Sequence, residues 1–264
     1  MIKSFKLYPN RVTKSLEMAP LLEAKLVDSG FVKSDEPDLA IAVGGDGAFL
    51  GMVRQTEFRI DLAYVGVNTG TLGFLQEIKF EEIDEFVEQL QRQEYRLEEI
   101  AFQQTVVKTP DVEDTYLSLN EIVVRDKLLR TAFFDVEVDG NQLQNFVGDA
   151  LLISTPTGST AHNSSYGGAI VDNSARVLQL NSMGAINSKV YRSLINPYII
   201  GENQKIVITP EEKRKDIMLQ VDGEIHIYDN AMSITTMLDE RKLKFLRMKD
   251  YTYERKIREK ILGW

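Results

Sequence analysis

The sequence has 264 residues, 43% hydrophobic and 27% charged, so it can fold into one large or two modest globular domains and does not have the composition of a disordered chain. Lysine and arginine number 31 against 40 aspartates and glutamates, and this acidic balance argues against nucleic acid or an anionic membrane as the main partner. Cysteine is absent and only two histidines occur, which excludes disulfides, thiolate zinc sites and cysteine nucleophiles and nearly excludes a multi-histidine metal centre.

The N-terminal residues lack the apolar segment of a signal peptide, and the longest uncharged run, residues 150–171, is rich in Ser, Thr, Gly, Asn and Pro. Transfer of such a run into lipid is unfavourable. We therefore expect a cytoplasmic protein with no membrane and no nucleic-acid partner.

The first hundred residues alternate between patterns typical of strands and of helices. The predicted elements are a strand at residues 2–8, a helix at 13–28, a buried strand at 39–43, a helix at about 48–55 and a second buried strand at 62–67. Apolar residues at helical spacing then predict an amphipathic helix, namely Phe80, Ile83, Phe86, Val87 and Leu90. This alternation predicts a Rossmann-like α/β domain in which helices cover both faces of a parallel sheet.

After Tyr95 the hydrophobic pattern changes to a period of two residues, which is typical of half-buried strands. Asp139-Gly140 and Asp222-Gly223 each join two such stretches, and Asp-Gly is a strong signal for a two-residue hairpin turn. Further strands are predicted near residues 104–108, 116–124, 150–154, 205–209, 232–237 and 243–247. The second half is therefore predicted to be an antiparallel β-sandwich.

The C-terminal stretch, residues 241–264, carries nine lysines and arginines against three acidic residues. Tyr253, Ile257 and Ile261 recur at helical spacing. We expect a helix that packs this apolar stripe on the acidic remainder of the protein, in preference to a binding arm.

The segment Gly44-Gly45-Asp46-Gly47 follows a buried strand and opens a helix. Glycines permit close approach of a phosphate, and the start of a helix offers unpaired N–H groups. No GxxxxGK[ST] motif is present, so this is not a Walker loop. The carboxylate would repel phosphate unless a divalent cation or a transferable proton gave it a function. The alternative is a tight turn in which Asp46 only caps the helix.

Three further segments are rich in polar groups or glycine. Residues 68–74, Asn-Thr-Gly-Thr-Leu-Gly-Phe, form a second glycine-rich loop at a strand end, and ligands bind at the carboxyl edge of parallel sheets. Asn120-Glu121 interrupts a strand pattern, as is natural beside a polyhydroxyl ligand. Residues 155–168 form a donor-rich loop that is too long for a hairpin turn, although a solvated Ser/Thr loop is the alternative.

Together these motifs resemble those of the NAD kinases in identity, order and spacing over about residues 40–225. The resemblance implies an α/β domain, expected at residues 1–99 with about 249–264, and a β-sandwich domain that binds NAD, expected at residues 100–248. It implies transfer of the γ-phosphoryl group of ATP to the 2′-hydroxyl of the adenosine ribose of NAD, with a divalent metal, normally Mg²⁺. It also implies a homodimer or homotetramer whose subunits meet through the β domains.

The resemblance assigns Asp46 as the catalytic base that faces the 2′-hydroxyl, and Asn120 and Glu121 as residues that hold the riboses and bases of NAD. The phosphate-binding residues are Gly44, Gly45 and Gly47. Further NAD-binding positions are Gly47, Phe74, Asp149, Thr160, Ala161, His162, Ser165, Ala185, Asp222 and Glu224. Asp222-Gly223 is equally well explained as a hairpin turn, and no metal ligand is assigned.

The sequence departs from the family pattern at three positions. Ala48 stands where a threonine is usual after Gly-Gly-Asp-Gly, Ala150 where a glycine is usual after Asp149, and His162 where an aromatic residue usually ends the donor-rich loop. These departures put in doubt a hydroxyl at the helix start, the local backbone shape and the stacking of an aromatic ring, respectively.

Three other functions remain open at this point. A lipid kinase also uses Gly-Gly-Asp-Gly, but it needs a hydrophobic acceptor pocket and attraction to a membrane. The loose fingerprint Gly45-x-Gly47-x-x-x-Gly51 allows a nicotinamide dehydrogenase. A non-catalytic sensor would bind NAD without forming NADP.

Overall fold

The computed structural model describes residues 1–70 and 73–263. The chain divides into two compact units: Met1–Ile100 with Lys242–Trp264, and Ala101–Arg241. We call these the first unit and the second unit. Both divisions fall inside long strands, so the chain leaves and re-enters the first unit without an intervening loop.

Helices and strands follow one another as the alternating sequence pattern predicts. Up to residue 108 they are β1 (Ser4–Pro9), α1 (Thr13–Asp28), β2 (Val32–Lys33), β3 (Leu39–Val43), α2 (Asp46–Gln55), β4 (Ala63–Asn68), β5 (Ile78–Lys79), α3 (Ile83–Arg92) and β6 (Tyr95–Lys108). They continue with β7 (Glu113–Ser118), β8 (Glu121–Asp126), β9 (Ala132–Val138), β10 (Asn141–Gly148), β11 (Ala150–Ser154), β12 (Val177–Met183), β13 (Tyr198–Gly201), β14 (Ile206–Pro210), β15 (Ile217–Val221), β16 (Glu224–Tyr228), β17 (Ser233–Met248) and α4 (Tyr253–Ile257).

A parallel sheet forms the centre of the first unit, in the order β2-β1-β3-β4, with β17 beside the start of β4 and β5 beside its end. Leu22 and Leu26 of α1 and Phe86 of α3 are buried against one face. On the other face Phe49 of α2 meets Phe245 of β17, with ring centroids 4.8 Å apart. Helices therefore cover both faces, and the predicted Rossmann-like α/β domain is confirmed.

Two sheets make up the second unit. One has the order β10-β9-β14-β17-β6-β7 and the other the order β13-β12-β11-β8-β15-β16. Alternate residues of both sheets enter a single core, among them Phe134, Ile206, Ile122 and Leu151. The predicted β-sandwich is confirmed, because alternate side chains from the strands of both sheets share this core.

Both predicted hairpins are present. Asp139 and Gly140 have φ of 51° and 75° and join the antiparallel strands β9 and β10. Asp222 and Gly223, with φ of 44° and 90°, join β15 and β16 in the same way. Positive φ at both central residues is typical of the type I′ turn, whose twist matches that of the flanking strands.

Three predicted elements differ from those observed. The single strand expected near 116–124 is two strands, β7 and β8, because the chain turns at Leu119 and Asn120. The strands expected at 232–237 and 243–247 are one strand, β17. Its central charges are tolerated because the Arg241 Nη2 atom binds the Asp239 carboxylate at 2.7 Å.

The C-terminal helix also differs from the prediction. It is limited to α4 and a π-helical turn at Arg258–Leu262. The side chain that α4 buries is Lys256, whereas Ile261 of the predicted apolar stripe is 46% exposed. No helix within residues 1–70 and 73–263 is long and apolar enough to cross a bilayer.

Replacement by alanine should change stability in opposite directions at two glycines, Gly140 in the β9–β10 hairpin turn and Gly51 inside α2. No atom lies within 4 Å of a Cβ placed on Gly140, where φ is +75°, and the closest atom to a Cβ on Gly51, inside α2, is 4.0 Å away. Gly140→Ala should therefore lower the free energy of unfolding by about 1 kcal/mol through backbone strain alone. Gly51→Ala should raise it by about 0.5–1 kcal/mol. Urea unfolding of the two variants measures both, and shifts of the same sign would contradict the backbone assignment.

Candidate active site

The turn between β3 and α2 needs its first glycine. Gly44 has φ of +148°, and a Cβ there would lie 2.6 Å from the Asn10 Nδ2 atom and 2.8 Å from the Ala48 Cβ atom. The Gly44 N–H donates to the Val67 carbonyl at 2.9 Å. The backbone is therefore held close to β4 in a conformation that side chains rarely adopt.

Asp46 is the first residue of α2, and two backbone amides hold its carboxylate. The Phe74 N–H donates to Oδ2 at 2.9 Å and the Leu75 N–H donates to Oδ1 at 3.0 Å. A Cβ on Gly73 would overlap the same carboxylate. Within the described residues each oxygen accepts one hydrogen bond, and Asp46 is only half-buried. The carboxylate is thus fixed in direction and accessible at the positive end of a helix dipole.

The loop after β4 is held by its own side chains and by α1. The Asn68 side chain donates to the Gly70 carbonyl at 2.6 Å and accepts from the Gly70 N–H at 3.3 Å. The buried Thr69 and Ser15 hydroxyls are 2.9 Å apart. Thr71 and Leu72, which belong to the predicted motif, lie outside the described residues.

In the second unit, Asn120 and Glu121 stand where β8 begins, and both are buried. Asp222, in the hairpin turn between β15 and β16, holds this point. Its Oδ2 accepts from the Leu119 N–H at 2.6 Å, and its Oδ1 accepts from the Asn120 and Glu121 N–H groups at 2.8 and 3.1 Å. Asp222 therefore serves the turn and fixes the backbone of the polar pair as well.

The side chains of Asn120 and Glu121 each carry a buried oxygen atom that is free to bind a ligand. The Asn120 Oδ1 and Glu121 Oε2 atoms have no hydrogen-bond partner among the described residues. Buried polar atoms are nearly always paired in proteins, so two neighbouring exceptions need an explanation. A ligand that forms hydrogen bonds with both atoms supplies one.

The Glu121 carboxyl group is unusual in its charge. Burial and then the negative charge of Asp222 raise its pKa to about 8, while the His162 backbone N–H acts in the opposite direction. At neutral pH the group is therefore mostly protonated, and it can donate one hydrogen bond as well as accept.

The donor-rich loop packs directly on the polar pair. The Thr155 Oγ1 donates to the Leu119 carbonyl at 2.5 Å, and the Thr155 N–H donates to the Asn120 carbonyl at 2.9 Å. A Cβ on Gly158 would overlap that same carbonyl. Residues 155–159 are buried, so the first half of the loop is not the solvated Ser/Thr loop of the alternative interpretation.

The second half of the loop is more open. Thr160, Ala161 and His162 are half-buried, and Ser165 is exposed. The His162 ring meets Tyr166 edge to face, with centroids 5.3 Å apart. Burial, followed by the charge of Arg125, lowers the pKa of His162 below 6.5, so the ring is neutral at pH 7 and presents a flat surface.

The remaining predicted residues are dispersed. In the first unit Gly47 is exposed in the first turn of α2 and Phe74 is half-buried. In the second unit Asp149 and Glu224 are exposed and Ala185 packs against the sandwich core.

Two of the three departures have a packing explanation. Ala48 is buried, and its Cβ lies close to Gly44. The Ala150 methyl group packs in a small cluster with Val123, Leu152 and Met183.

Sequence reasoning missed Gln76, whose Nε2 donates to the Gly45 carbonyl at 2.7 Å, and Lys256, which donates to the Gln76 carbonyl. A polar residue between the buried Leu75 and Ile78 was a signal for Gln76. Lys256 gave none, because it looks like any other lysine of a basic tail.

The described ranges contain no group of three or more His, Asp or Glu side chains that could hold a metal ion. Mg²⁺ in phosphoryl-transfer enzymes is bound through one or two carboxylates and the substrate phosphates.

Comparisons with known proteins agree with this geometry. Residues 27–95 match the model of the ATP-NAD kinase N-terminal domain, and residues 119–248 match that of the ATP-NAD kinase C-terminal domain. The chain is 34% identical to the NAD kinase of Finegoldia magna, with 98% of both chains covered. It is 31% identical to NAD kinase 1 of Listeria monocytogenes, with 95% of this chain and 97% of the relative covered. The chain belongs to the NAD kinase family.

Solved structures share the fold. Yeast NADH kinase complexed with NADH has a TM-score of 0.83 at 19% identity. The match covers 100% of this chain and 88% of the yeast chain. An NAD kinase from Archaeoglobus fulgidus in complex with ATP has a TM-score of 0.76 at 21% identity, covering 98% and 97%. The predicted fold class is confirmed, including a C-terminal segment that returns to the first domain.

The raised pKa of Glu121 predicts a pH-dependent stability difference. In the folded chain the group keeps its proton up to about pH 8, against an ordinary value of 4.5. The wild type therefore loses stability as pH rises through this window, by up to about 1.4 kcal/mol per pH unit. Glu121→Gln carries no ionisable group at this position, so its free energy of unfolding should not fall in this way as pH rises. In urea unfolding at pH 5.5, 6.5 and 7.5, the free energy of unfolding of the variant should rise steadily relative to that of the wild type.

The control is Glu211→Gln, which removes an exposed carboxylate of the same unit. A constant difference between Glu121→Gln and the wild type across the three pH values would show that Glu121 is ionised in the folded chain.

Proposed function

We propose that this chain is an ATP-dependent NAD kinase, which transfers the γ-phosphoryl group of ATP to the 2′-hydroxyl of the adenosine ribose of NAD and so forms NADP and ADP. Membership of the NAD kinase family supports the reaction class. The NADH complex of the yeast enzyme and the ATP complex of the Archaeoglobus enzyme support the two substrates.

The observation that carries the proposal is the Asp46 carboxylate, held by the Phe74 and Leu75 amides at the start of α2. One of its free lone pairs would accept the 2′-hydroxyl proton. The ribose oxygen then forms a bond to the γ-phosphorus while the bond from that phosphorus to the bridging β–γ oxygen breaks. Phosphoryl transfer needs little covalent help, so a fixed base and fixed phosphates account for most of the catalysis.

The glycine turn would hold phosphate. Gly44, Gly45 and Gly47 carry no side chain that would block an approach to the N–H groups of Asp46 and Gly47, the first two of α2, which have no partner within the helix. Ala48 leaves the backbone donors intact, although it lacks the usual hydroxyl.

The second unit would recognise the acceptor NAD. Asn120 Oδ1 and Glu121 supply an acceptor and, through the protonated carboxyl group, a donor to ribose hydroxyls or base edges. The His162 ring would stack on a base as an aromatic residue does. Other contacts are proposed for Phe74, Asp149, Thr160, Ala161, Ser165, Ala185, Asp222 and Glu224.

Mg²⁺ is the proposed metal, because it neutralises phosphate charge in reactions of this class. The protein is proposed to act in the cytoplasm as a homodimer or homotetramer that associates through its β domains. Exposed apolar side chains of β13 and β16, Ile199, Ile225 and Ile227, are compatible with such an interface.

One assay separates the kinase from its alternatives. The purified chain is incubated with NAD, ATP and Mg²⁺, and NADP is detected with an NADP-specific dehydrogenase. A lipid kinase and a sensor form no NADP, and a dehydrogenase changes the redox state of NAD without using ATP. Absence of NADP would refute the proposal.

Replacement of the base should affect turnover and leave binding intact. Asp46→Asn keeps the size of the side chain but cannot accept the hydroxyl proton. We expect kcat to fall by about 10²–10⁴-fold, the usual contribution of a positioned general base, while calorimetric affinity for NAD stays nearly unchanged. Asp35→Asn, an exposed carboxylate of the same unit, is the control. Turnover of Asp46→Asn within threefold of the wild type would remove Asp46 from the mechanism.

Truncation of the buried amide should weaken the acceptor substrate. Asn120→Ala removes the unpartnered Oδ1 atom and leaves its ligand group unpaired, which costs about 1–3 kcal/mol. The KM for NAD should rise accordingly and the KM for ATP should not. Asn141→Ala, at an exposed position of the β9–β10 hairpin, is the matched control. A change confined to the KM for ATP would show that Asn120 does not bind NAD.

A further inference from the structure

The C-terminal helix of the first unit buries a lysine. Lys256 of α4 is only 6% exposed, and its ammonium group donates to the Gln76 backbone carbonyl. Burial of a lysine is unfavourable because the charged group loses its water. An apolar residue would attach the tail with less penalty, so the lysine calls for a reason beyond attachment.

Gln76, the partner of Lys256, lies beside the residues that hold the Asp46 carboxylate. The Gln76 side chain is fully buried, and its Nε2 donates to the Gly45 carbonyl at 2.7 Å. A Cβ on Gly66 would overlap the Gln76 side chain, so the strand beneath is shaped to admit it. The two residues before Gln76 supply the N–H groups that hold the Asp46 carboxylate. Gln76 therefore connects Lys256 to the Gly45 carbonyl through its side chain and to the amides that hold Asp46 through the adjoining backbone.

A second buried cation steadies the same segment. Arg247 of β17 donates from Nη1 to the Glu77 Oε2 atom at 3.1 Å and from Nε to the Glu98 Oε2 atom at 2.6 Å. The Met248 N–H also donates to Glu77, at 3.3 Å. Residues 76 and 77 are thus both held by the returning segment, one through its carbonyl and one through its carboxylate.

We propose that Lys256 is a positioning residue for phosphoryl transfer, which holds the Gln76 carbonyl and through it the orientation of the Gly45 turn and the Asp46 carboxylate. This inference rests on the proposed function. Lys256 touches neither substrate in this argument, and it acts through Gln76.

The charge of Lys256 depends on the groups around it. Burial is the main cause that lowers its pKa to about 8; the charges of Arg247 and Lys260 act in the same direction, and the carboxylates of Glu77 and Asp46 oppose them. The Tyr251 ring centroid is 5.7 Å from Nζ. Loss of the proton above pH 8 leaves a neutral amine, which is a weaker donor to the carbonyl. A positioning role therefore predicts that kcat declines in this pH range.

The test compares variants of similar length. Lys256→Met removes the donor and the charge, and Gln76→Met removes the donor to Gly45. We expect each to lower kcat by about 10–100-fold, the effect of a small misplacement at the reacting groups, with the KM for NAD changed less than twofold. The double variant should be no worse than the weaker single variant, because both break one connection. Lys256→Arg should restore part of kcat, and the decline of kcat above pH 8 should disappear in Lys256→Met.

The matched control is Arg255→Met, an exposed neighbour in α4 that pairs with Glu259. Its kcat should stay within twofold of the wild type. Thermal unfolding of each variant at the assay pH establishes the folded fraction. A Lys256→Met kcat within twofold of the wild type, additive effects in the double variant, or a loss of kcat that only follows the folded fraction would each overturn the inference. Absence of NADP formation by the wild type would instead refute the proposed function.

Discussion

Backbone amides that donate to a carboxylate fix the candidate site residues in both units. In the first unit the amides of residues 74 and 75 hold Asp46, and in the second the amides of residues 119–121 hold Asp222. Such charge-assisted hydrogen bonds are about twice as strong as neutral ones and set direction as well as distance. The glycines at 73 and 158 follow from the same requirement, because a side chain there would displace the groups being held.

The two carboxylates are used differently. Asp46 accepts one amide hydrogen bond at each oxygen and is only half-buried. Asp222 is occupied by three amides, and the effect of its charge appears on a neighbour, since it helps to keep the Glu121 carboxyl group protonated. One unit thus presents a carboxylate held by two amides, and the other presents a carboxyl group whose raised pKa keeps it mostly protonated at neutral pH.

Much of the fold could be predicted because its signals are local. The buried run of β3 and the Asp-Gly hairpins act over a few residues, and the position of Asp46 follows from the glycines around it. The contact of Lys256 with Gln76 joins residues 180 positions apart, and no periodicity connects them. The break between β7 and β8 was missed for a similar reason: the amides at 119–121 turn toward Asp222, whose position depends on the pairing of Val221 with Ile122.

The returning segment has a consequence for biosynthesis. β17 pairs with β4, and Arg247 and Lys256 hold residues 76 and 77, so the first unit acquires one of its strands and two of its internal cations only when residues 242–256 have left the ribosome. Domains generally fold as units during synthesis, the N-terminal one first. Here that order cannot be followed, because β17 belongs to the sheets of both units and is the last strand to be made: the α/β unit still exposes the edge of β4 when the sandwich receives the first half of the same strand. Until its last strand arrives, that edge is a place where another nascent chain could pair.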